Sequence, residues 1–452
     1  MRAYSLAEGG SARERGSTLV VVLAIVTAVT LIGSALFILG VGESGLVDYA
    51  TDTAEAFWLA EAGQERARAW LEERAAETPA AYPLEGGFED QSLGGGDYDA
   101  LVLRRFGCDP WTVQYDVISY GEKDGDLRQI RSILECETFA AFAYFHDRSS
   151  SVWHVTGDSL SGRVHGNGHV RVRGDPWFGG RVTTSEDHLI IQDGSSPTFE
   201  QGYQVNFQEI PFPDPAVILD ALRVAAQANG FYAGDLRGPH ARYEVVLGRN
   251  GNLGYLSYRS YERGGGGGGG GGGGYQYSSW TGIAVSGING PVVFDDTMWI
   301  EGTLDGKVTI GSGADIHIRG DVLYEDARPY EGPLPGCDDV LGLIAAGDVV
   351  VDMTGPNMND CVIHAHVMAL QSSFTVESYN QGPPRGDLVV WGGVVQEDPG
   401  PVGSFNHYDI IVHGYTKDYH YDPRLSTGAP PWYPQTGRYT VVSWQDVRPP
   451  EL

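Results

Sequence analysis

The stretch RERGSTLVVVLAIVTAVTLIGSALFILGVGESG, Arg13 to Gly45, is far more apolar than the rest of this acidic chain. No charge falls between Arg15 and Glu43. Read as a helix, Thr18–Val41 is about 36 Å long, enough to cross a hydrocarbon core of about 30 Å. Arg2, Arg13 and Arg15 precede it, and Glu43, Asp48, Asp52 and Glu55 follow it. That bias predicts a single-pass membrane protein with a cytoplasmic N-terminus and everything after Gly42 outside. Three readings compete: a cleaved secretion signal, a permanent anchor, and an assembly helix that the mature chain keeps. A signal's apolar region is about 7–15 residues, shorter than this one.

The residues that follow favour retention. VDYATDTAEAFWLAEAGQERARAW, Val47–Trp70, lacks proline and is rich in good helix formers. Val47, Ala50, Ala54, Phe57, Ala60, Gly63, Ala67 and Trp70 recur in steps of three and four, predicting an amphipathic continuation with that face inward. Gly33, Gly40, Gly42 and Gly45 are places where such a helix can bend.

A short basic leader ending in Gly16, then Ser17, then a long apolar helix resembles the type IV pilin precursors. With Ala60-Glu61-Ala62-Gly63, it is most similar to the PilX-type minor pilins and pseudopilins. The resemblance implies that prepilin peptidase cuts between Gly16 and Ser17. The helix 17–75 would then pack among other pilin-like subunits through residues such as Leu19, Val21, Leu23, Leu31, Phe37, Phe57, Trp58 and Glu61. The fifth mature position is Val21, where major pilins carry Glu, a departure that fits a tip subunit. The expected course is residence in the inner membrane, then a surface filament of a pilus or a type II secretion-like system.

The expected fold is mainly β with one long N-terminal helix, in four parts: leader 1–16, helix 17–75, a small antiparallel headgroup 76–145, and a large irregular β-solenoid 146–452. Strand-like runs at Tyr98–Arg105, Trp111–Tyr120 and Leu127–Glu137, with turn chemistry in YGEKDGD, predict the headgroup. Ala75–Asp99 reads as a boundary loop. Beyond Ser151, short alternating runs separated by Gly and Asp predict stacked β coils, with a β-sandwich as the alternative. Within 207–280, Pro215 is expected to open a helix over Val217–Ala226 that inserts into or caps the solenoid. The glycine run 264–274 reads as a mobile aromatic-flanked loop or a tolerated expansion. Runs such as GRVHGNG, FGGRVTT and LGLIAAGDV resemble an uncharacterised extracellular solenoid-like domain found behind PilX-type N-termini.

A net charge of −29 without a basic patch excludes nucleic acid as a partner class. The four cysteines form no CxxC pair, so zinc–thiolate sites are not expected. Cys108–Cys136 and Cys337–Cys361 are candidate disulfides, implying an oxidising compartment. His364 and His366 share a strand face and could join His407, His413 or His420 on a metal, but hydrogen-bonded structural roles are the expectation. YTKDYHYDPRL clusters Lys417, Asp418, His420, Asp422 and Arg424 and raises glycoside cleavage as an alternative to a turn with paired charges. The expectation is no enzyme and no cofactor or metal. Aromatics such as Trp432 and Tyr433 raise adhesion, with a surface glycan as a candidate partner.

Overall fold

The computed structural model describes residues 12–77, 82–106, 111–250, 253–263 and 275–447. Residues 1–11 of the leader, Cys108 and the glycine run 264–274 lie outside them.

Helix α1, Ala12–Glu77, runs unbroken through Gly33, Gly40, Gly42 and Gly45, so none of these glycines breaks it. Its C-terminal half lies under an antiparallel sheet. The strands are β1 (Glu85–Leu93), β2 (Gly96–Arg104), β3 (Gln114–Lys123) and β4 (Asp126–Thr138), with the C-terminal strand Gln435–Val447 on the outer side of β4. β3 and β4 are joined by a two-residue turn in which Asp124 (φ 49°) and Gly125 (φ 94°) are both left-handed, as a primed hairpin turn requires. Ala67, Leu71, Val102, Tyr115, Val117, Leu134 and Tyr439 close a dry core between helix and sheet. Each large aliphatic side chain buried there contributes about 1.5–3 kcal/mol.

Two strands depart from the sequence reading. β1 lies inside the expected boundary loop; its EGGFEDQSL is polar because only one face meets anything. The C-terminal strand, expected in the large domain, pairs with β4 from Gln435↔Thr138 to Val447↔Gln129. Residues 139–434 are therefore inserted between two neighbouring strands of the headgroup.

That insertion is a stack of coils paired in parallel. One ladder runs in strict register through Phe231, Val292, Ile310, Leu343, Val367, Val394, Tyr144, Val164, Val182 and Tyr203. A second aligns Leu247, Gly302, Val322, Ile363, Val390, Tyr419, Leu160, Phe178 and Phe199. A third aligns Tyr243, Met298, Ile316, Val349 and Phe374. Inward residues of all three ladders form one core. Parallel pairing of sequentially distant strands is the signature of stacked coils, whereas a sandwich of the kind weighed above pairs antiparallel.

The order of rungs is not the order of the chain. Coils from Tyr144 to Tyr203 build outward from the middle. The chain then crosses to the far end, and coils from Phe231 onward return until Val394 docks on Tyr144. The crossing carries α2, Pro215–Asn229, capped by Asp214, whose carboxylate accepts from the Ala216 N–H at 2.8 Å. α2 is not an end cap. Leu219, Leu222 and Ala226 lie with Phe145, Val293, Ile344, Met368 and Val395, the outward residues of the first ladder. Asn167 pins the start of the crossing: its amide donates to Ile210 O at 2.7 Å and accepts from Ile210 N at 3.0 Å.

The segment 207–280 is also more than an insertion. Phe231–Ala233 and the first half of Arg242–Asn250 are rungs, and the antiparallel strand Leu253–Arg263 closes that end of the stack. It covers backbone groups that an end rung otherwise leaves open to further pairing.

The expected Cys337–Cys361 disulfide is absent. Both are free and buried, as is Cys136. Cys361 opens a strand whose neighbour in the next coil is Leu388, and the Cys337 thiol donates to Asp339 Oδ2 at 3.6 Å. Burial pushes the Cys136 thiol up to about 12.

Candidate assembly site

Two halves of α1 behave differently because their side chains meet different surroundings. From Leu19 to Val41 every large apolar residue is exposed, including Leu19, Val21, Leu23, Leu31 and Phe37. This half holds a window of mean hydropathy 2.7, long and apolar enough to cross a membrane. Its hydroxyls are satisfied inside the helix: Thr27 donates to Leu23 O, Thr30 to Val26 O and Ser34 to Thr30 O, each at 2.7 Å. The surface offered outward is therefore almost purely hydrocarbon. Gly16 and Ser17 lie in the backbone of the same helix.

The second half is locked. The buried stripe is Ala56, Leu59, Ala60, Gly63, Gln64, Ala67 and Leu71. This is rotated from the expected face: Ala60, Gly63 and Ala67 are shared, Phe57 and Trp70 are half-buried, and Ala50 and Ala54 are exposed. The rotation follows from size. Gly121 of β3 comes so close that a Cβ there would stand 2.1 Å from Ala56 O and 2.4 Å from Ala60 N. A Cβ on Gly63 would stand 2.9 Å from Ser119 Cβ. Small residues face each other across the seam, and large ones flank it.

Gln64, which no sequence argument singled out, sits in the seam. Its amide nitrogen lies 2.9 Å from Ser119 Oγ, 3.1 Å from Ile130 O and 3.3 Å from Val117 O. Its amide oxygen accepts from Ser132 Oγ, while Ser119 Oγ donates to Ala60 O at 2.7 Å. The polar groups are mutually satisfied, and such a network fixes one register between helix and sheet. A polar residue on an otherwise small, apolar stripe was the available signal.

Three residues of the expected assembly set lie beside the seam. Phe57 packs edge-on to Trp444 of the C-terminal strand, with ring centres 6.3 Å apart. Glu61 accepts from Trp444 Nε1 at 2.9 Å. Trp58 is exposed. The Ala60-Glu61-Ala62-Gly63 motif thus uses Ala60 and Gly63 for close approach and Glu61 to hold the returning strand.

The histidines are not gathered. His364, Trp391 and His420 occupy one register position on three successive strands, so an indole separates the imidazoles, and His420 stacks on it at 4.5 Å. His366 is buried, with Nε2 2.9 Å from Phe142 O and Nδ1 2.7 Å from the Tyr433 hydroxyl. A carbonyl only accepts, so Nε2 carries the proton and the Tyr433 hydroxyl donates to Nδ1. Burial lowers this imidazole to about 4. His364 is held between Tyr324 N–H and Pro329 O. His413 reaches Gly382 O, and His407 lies against Tyr408.

Lys417, Asp418, His420, Asp422 and Arg424 of YTKDYHYDPRL each have a partner. Lys417 Nζ meets Asp158 Oδ2 at 2.9 Å, His420 meets Asp418 at 3.0 Å, and Arg424 clasps Asp422 at 2.6 Å. Tyr433 is buried, and the half-buried Trp432 faces Trp111 at 6.3 Å between headgroup and coils.

Residues 112–186 match a family model described as a domain of unknown function (DUF4900). The matched segment runs from β3 into the first coils. No curated protein matches the chain. Among solved structures, the crystal structure of the competence-associated pilin ComZ from Thermus thermophilus aligns at a TM-score of 0.33 with 13% identity, over 88% of this chain and 98% of that one.

Proposed function

We propose that the chain is a structural subunit of a pilin-like filament, of the PilX-like minor class, that displays a large β domain outside the cell. The observation that carries the reading is the division of α1 into a bare hydrocarbon half and a half built into an antiparallel headgroup. A helix of this kind rests in a membrane and can exchange lipid contacts for contacts with neighbouring helices at little hydrophobic cost. Prepilin peptidase would cut between Gly16 and Ser17, other pilin-like subunits would be the partners, and Val21 in place of an acidic residue fits a tip position. No catalytic role is proposed.

Co-expression of the full chain with a prepilin peptidase, followed by N-terminal sequencing, tests this. A mature start at Ser17 is expected. A start at Glu43 indicates a secretion signal, and an intact leader a permanent anchor; either outcome removes the proposal.

A glycan as the contacted surface is supported by the hairpin at the far end of the coil stack. There Tyr277 and Trp280 are exposed, and the Arg259 guanidinium lies 3.9 Å and 4.6 Å from their ring centres. Glu244 holds that guanidinium at 2.6 Å. Rings fixed in this way suit stacking against sugar faces. Retention of the full chain, but not Trp280→Ala, on immobilised polysaccharide is the expected result.

A further inference from the structure

Val164 pairs with Val182, and Arg171 with Ile190, so the coil containing RVHGNGHV (163–170) lies directly on the coil containing RVTTSEDHL (181–189). Counting back two residues from Arg171 and Ile190 places His169 and His188 at the same position of adjacent coils. Their ring centres are 4.8 Å apart, which is the strand-to-strand spacing, and the rings are nearly perpendicular at 81°. Glu186 Oε1 stands 3.1 Å from His169 Nδ1, and Asp187 Oδ1 stands 2.5 Å from His188 Nδ1. Ligand atoms of His169, Asp187 and His188 all lie within 4.8 Å of one another.

We propose that this corner of the coil stack binds a divalent transition-metal ion of borderline softness, zinc being the type. His169 and His188 would be its nitrogen ligands, with Asp187, and Glu186 beside it, supplying carboxylate oxygen. Two imidazoles with carboxylate oxygen suit zinc, copper or nickel, whereas calcium and magnesium take oxygen ligands alone. Ligands at about 2.0–2.2 Å around one tetrahedral ion lie about 3.3–3.6 Å from each other. Asp187 and His188 are exposed, and rotation of their side chains is the movement that would close the present separations to that value.

The existing contacts oppose this only weakly. Each imidazole faces a carboxylate at the surface, and contacts of that sort are screened by solvent and hold their side chains only loosely. The scaffold under them is firm: the His169 N–H donates to Ser149 Oγ at 2.8 Å, and Ile190 N donates to Val170 O at 3.0 Å. The buried His165 differs: it has Nδ1 on Thr183 Oγ1 at 2.8 Å and Nε2 on Asn167 Oδ1 at 2.9 Å, leaving no nitrogen for a metal. Asp187 and His188 are exposed, so an ion enters from solvent and keeps positions for water or for a donor from another molecule.

The test is equilibrium dialysis of the untagged full chain in detergent against zinc chloride, with cobalt(II) as a spectroscopic probe. About one zinc per chain is expected at micromolar free metal, with visible cobalt bands of a low-coordinate nitrogen–oxygen site. His169→Ala and His188→Ala should each weaken zinc binding by at least about tenfold and remove the cobalt bands, since even outer-sphere changes cost that much. His407→Ala, an exposed histidine elsewhere, should change neither. Circular dichroism shows whether each variant is folded; if one is not, His188→Asn replaces it. Absence of zinc binding, or binding undiminished in folded His169→Ala/His188→Ala, overturns the site. The result is independent of where the N-terminus is cut.

Discussion

The amide of Gln64, on the long helix, lies 2.9 Å from the hydroxyl of Ser119, on β3, with both side chains buried. With the Ser132–Gln64 and Ser119–Ala60 hydrogen bonds, this contact ties the long helix to the sheet that carries the rest of the molecule. Gln64→Ala should therefore destabilise the headgroup by about 2–4 kcal/mol, because it strands buried carbonyls and hydroxyls as well as losing packing. Thermal unfolding in detergent, followed through headgroup aromatics, measures it. A midpoint unchanged from wild type would refute the role given to the seam.

The glycines of α1 and its sheet should divide by position. Gly121→Ala brings a Cβ against fixed backbone and should cost about 1–3 kcal/mol or more. Gly63→Ala brings a Cβ to 2.9 Å from Ser119 Cβ and 3.2 Å from Asp99 O, a milder overlap than at Gly121, and should cost less. Gly33 has nothing within 4 Å, and Gly33→Ala should be neutral or stabilising by about 0.5–1 kcal/mol. Chemical denaturation of the three variants gives the ranking.

Acid should loosen the coil stack before it protonates most carboxylates. His146, His165 and His366 are lowered to about 4 by burial, against an ordinary value near 6.5. Between those values the unfolded chain binds more protons than the folded one. Stability is therefore full above about pH 6.5, falls as pH drops toward 4, and loses nothing further from these rings below that. Each ring accounts for up to about 3 kcal/mol. His366→Gln should flatten part of the slope in melts taken across this range.

Lys417 and Asp158 join the last coil to the first, with side chains 5% and 1% exposed. Lys417→Met leaves a buried carboxylate unpaired and should cost about 3–5 kcal/mol. Adding Asp158→Asn removes that charge and keeps an acceptor for the Lys417 N–H, so the double variant should recover most of the loss. Failure to recover would mean that lost packing, or the Val155 N–H that Asp158 Oδ2 also serves, and not stranded charge, dominates.

Leu31 stands near the middle of the apolar half of α1. Leu31→Asp should cost about 3–4 kcal/mol of membrane insertion. The fraction of chain left in alkali-washed membranes reports it, and an unchanged fraction would argue that this half never enters a bilayer.

The helix was legible because hydropathy and composition are local: nothing in the fold competes for Leu19 to Val41. The three inner headgroup strands were legible by alternation, and the turn at Asp124-Gly125 by its residues. β1 was missed because its outward face is polar and its two glycines read as loop. The C-terminal strand was missed because its partner lies some three hundred residues earlier, and no periodicity carries that information. For the same reason the coils were foreseen but not their order; Val394 docking on Tyr144 is decided by packing between distant segments. His169 and His188 were within reach. Aligning RVHGNGHV with RVTTSEDHL places them opposite each other, but the offset changes by one residue between the two ladders and hides any strict repeat. The Cys337–Cys361 disulfide failed for a different reason: sequence proximity says nothing about which neighbour each thiol meets.

Because residues 139–434 leave the headgroup at Thr138 and return beside it at Gln435, the inserted body is a payload plugged into one socket. Its two leads emerge from the same edge, so a tug along the strand direction slides β4 against β3 across their whole length instead of peeling the sheet apart pair by pair. The same wiring makes the payload exchangeable: any domain whose ends meet at strand spacing could be spliced there while the rod beneath stays unaltered.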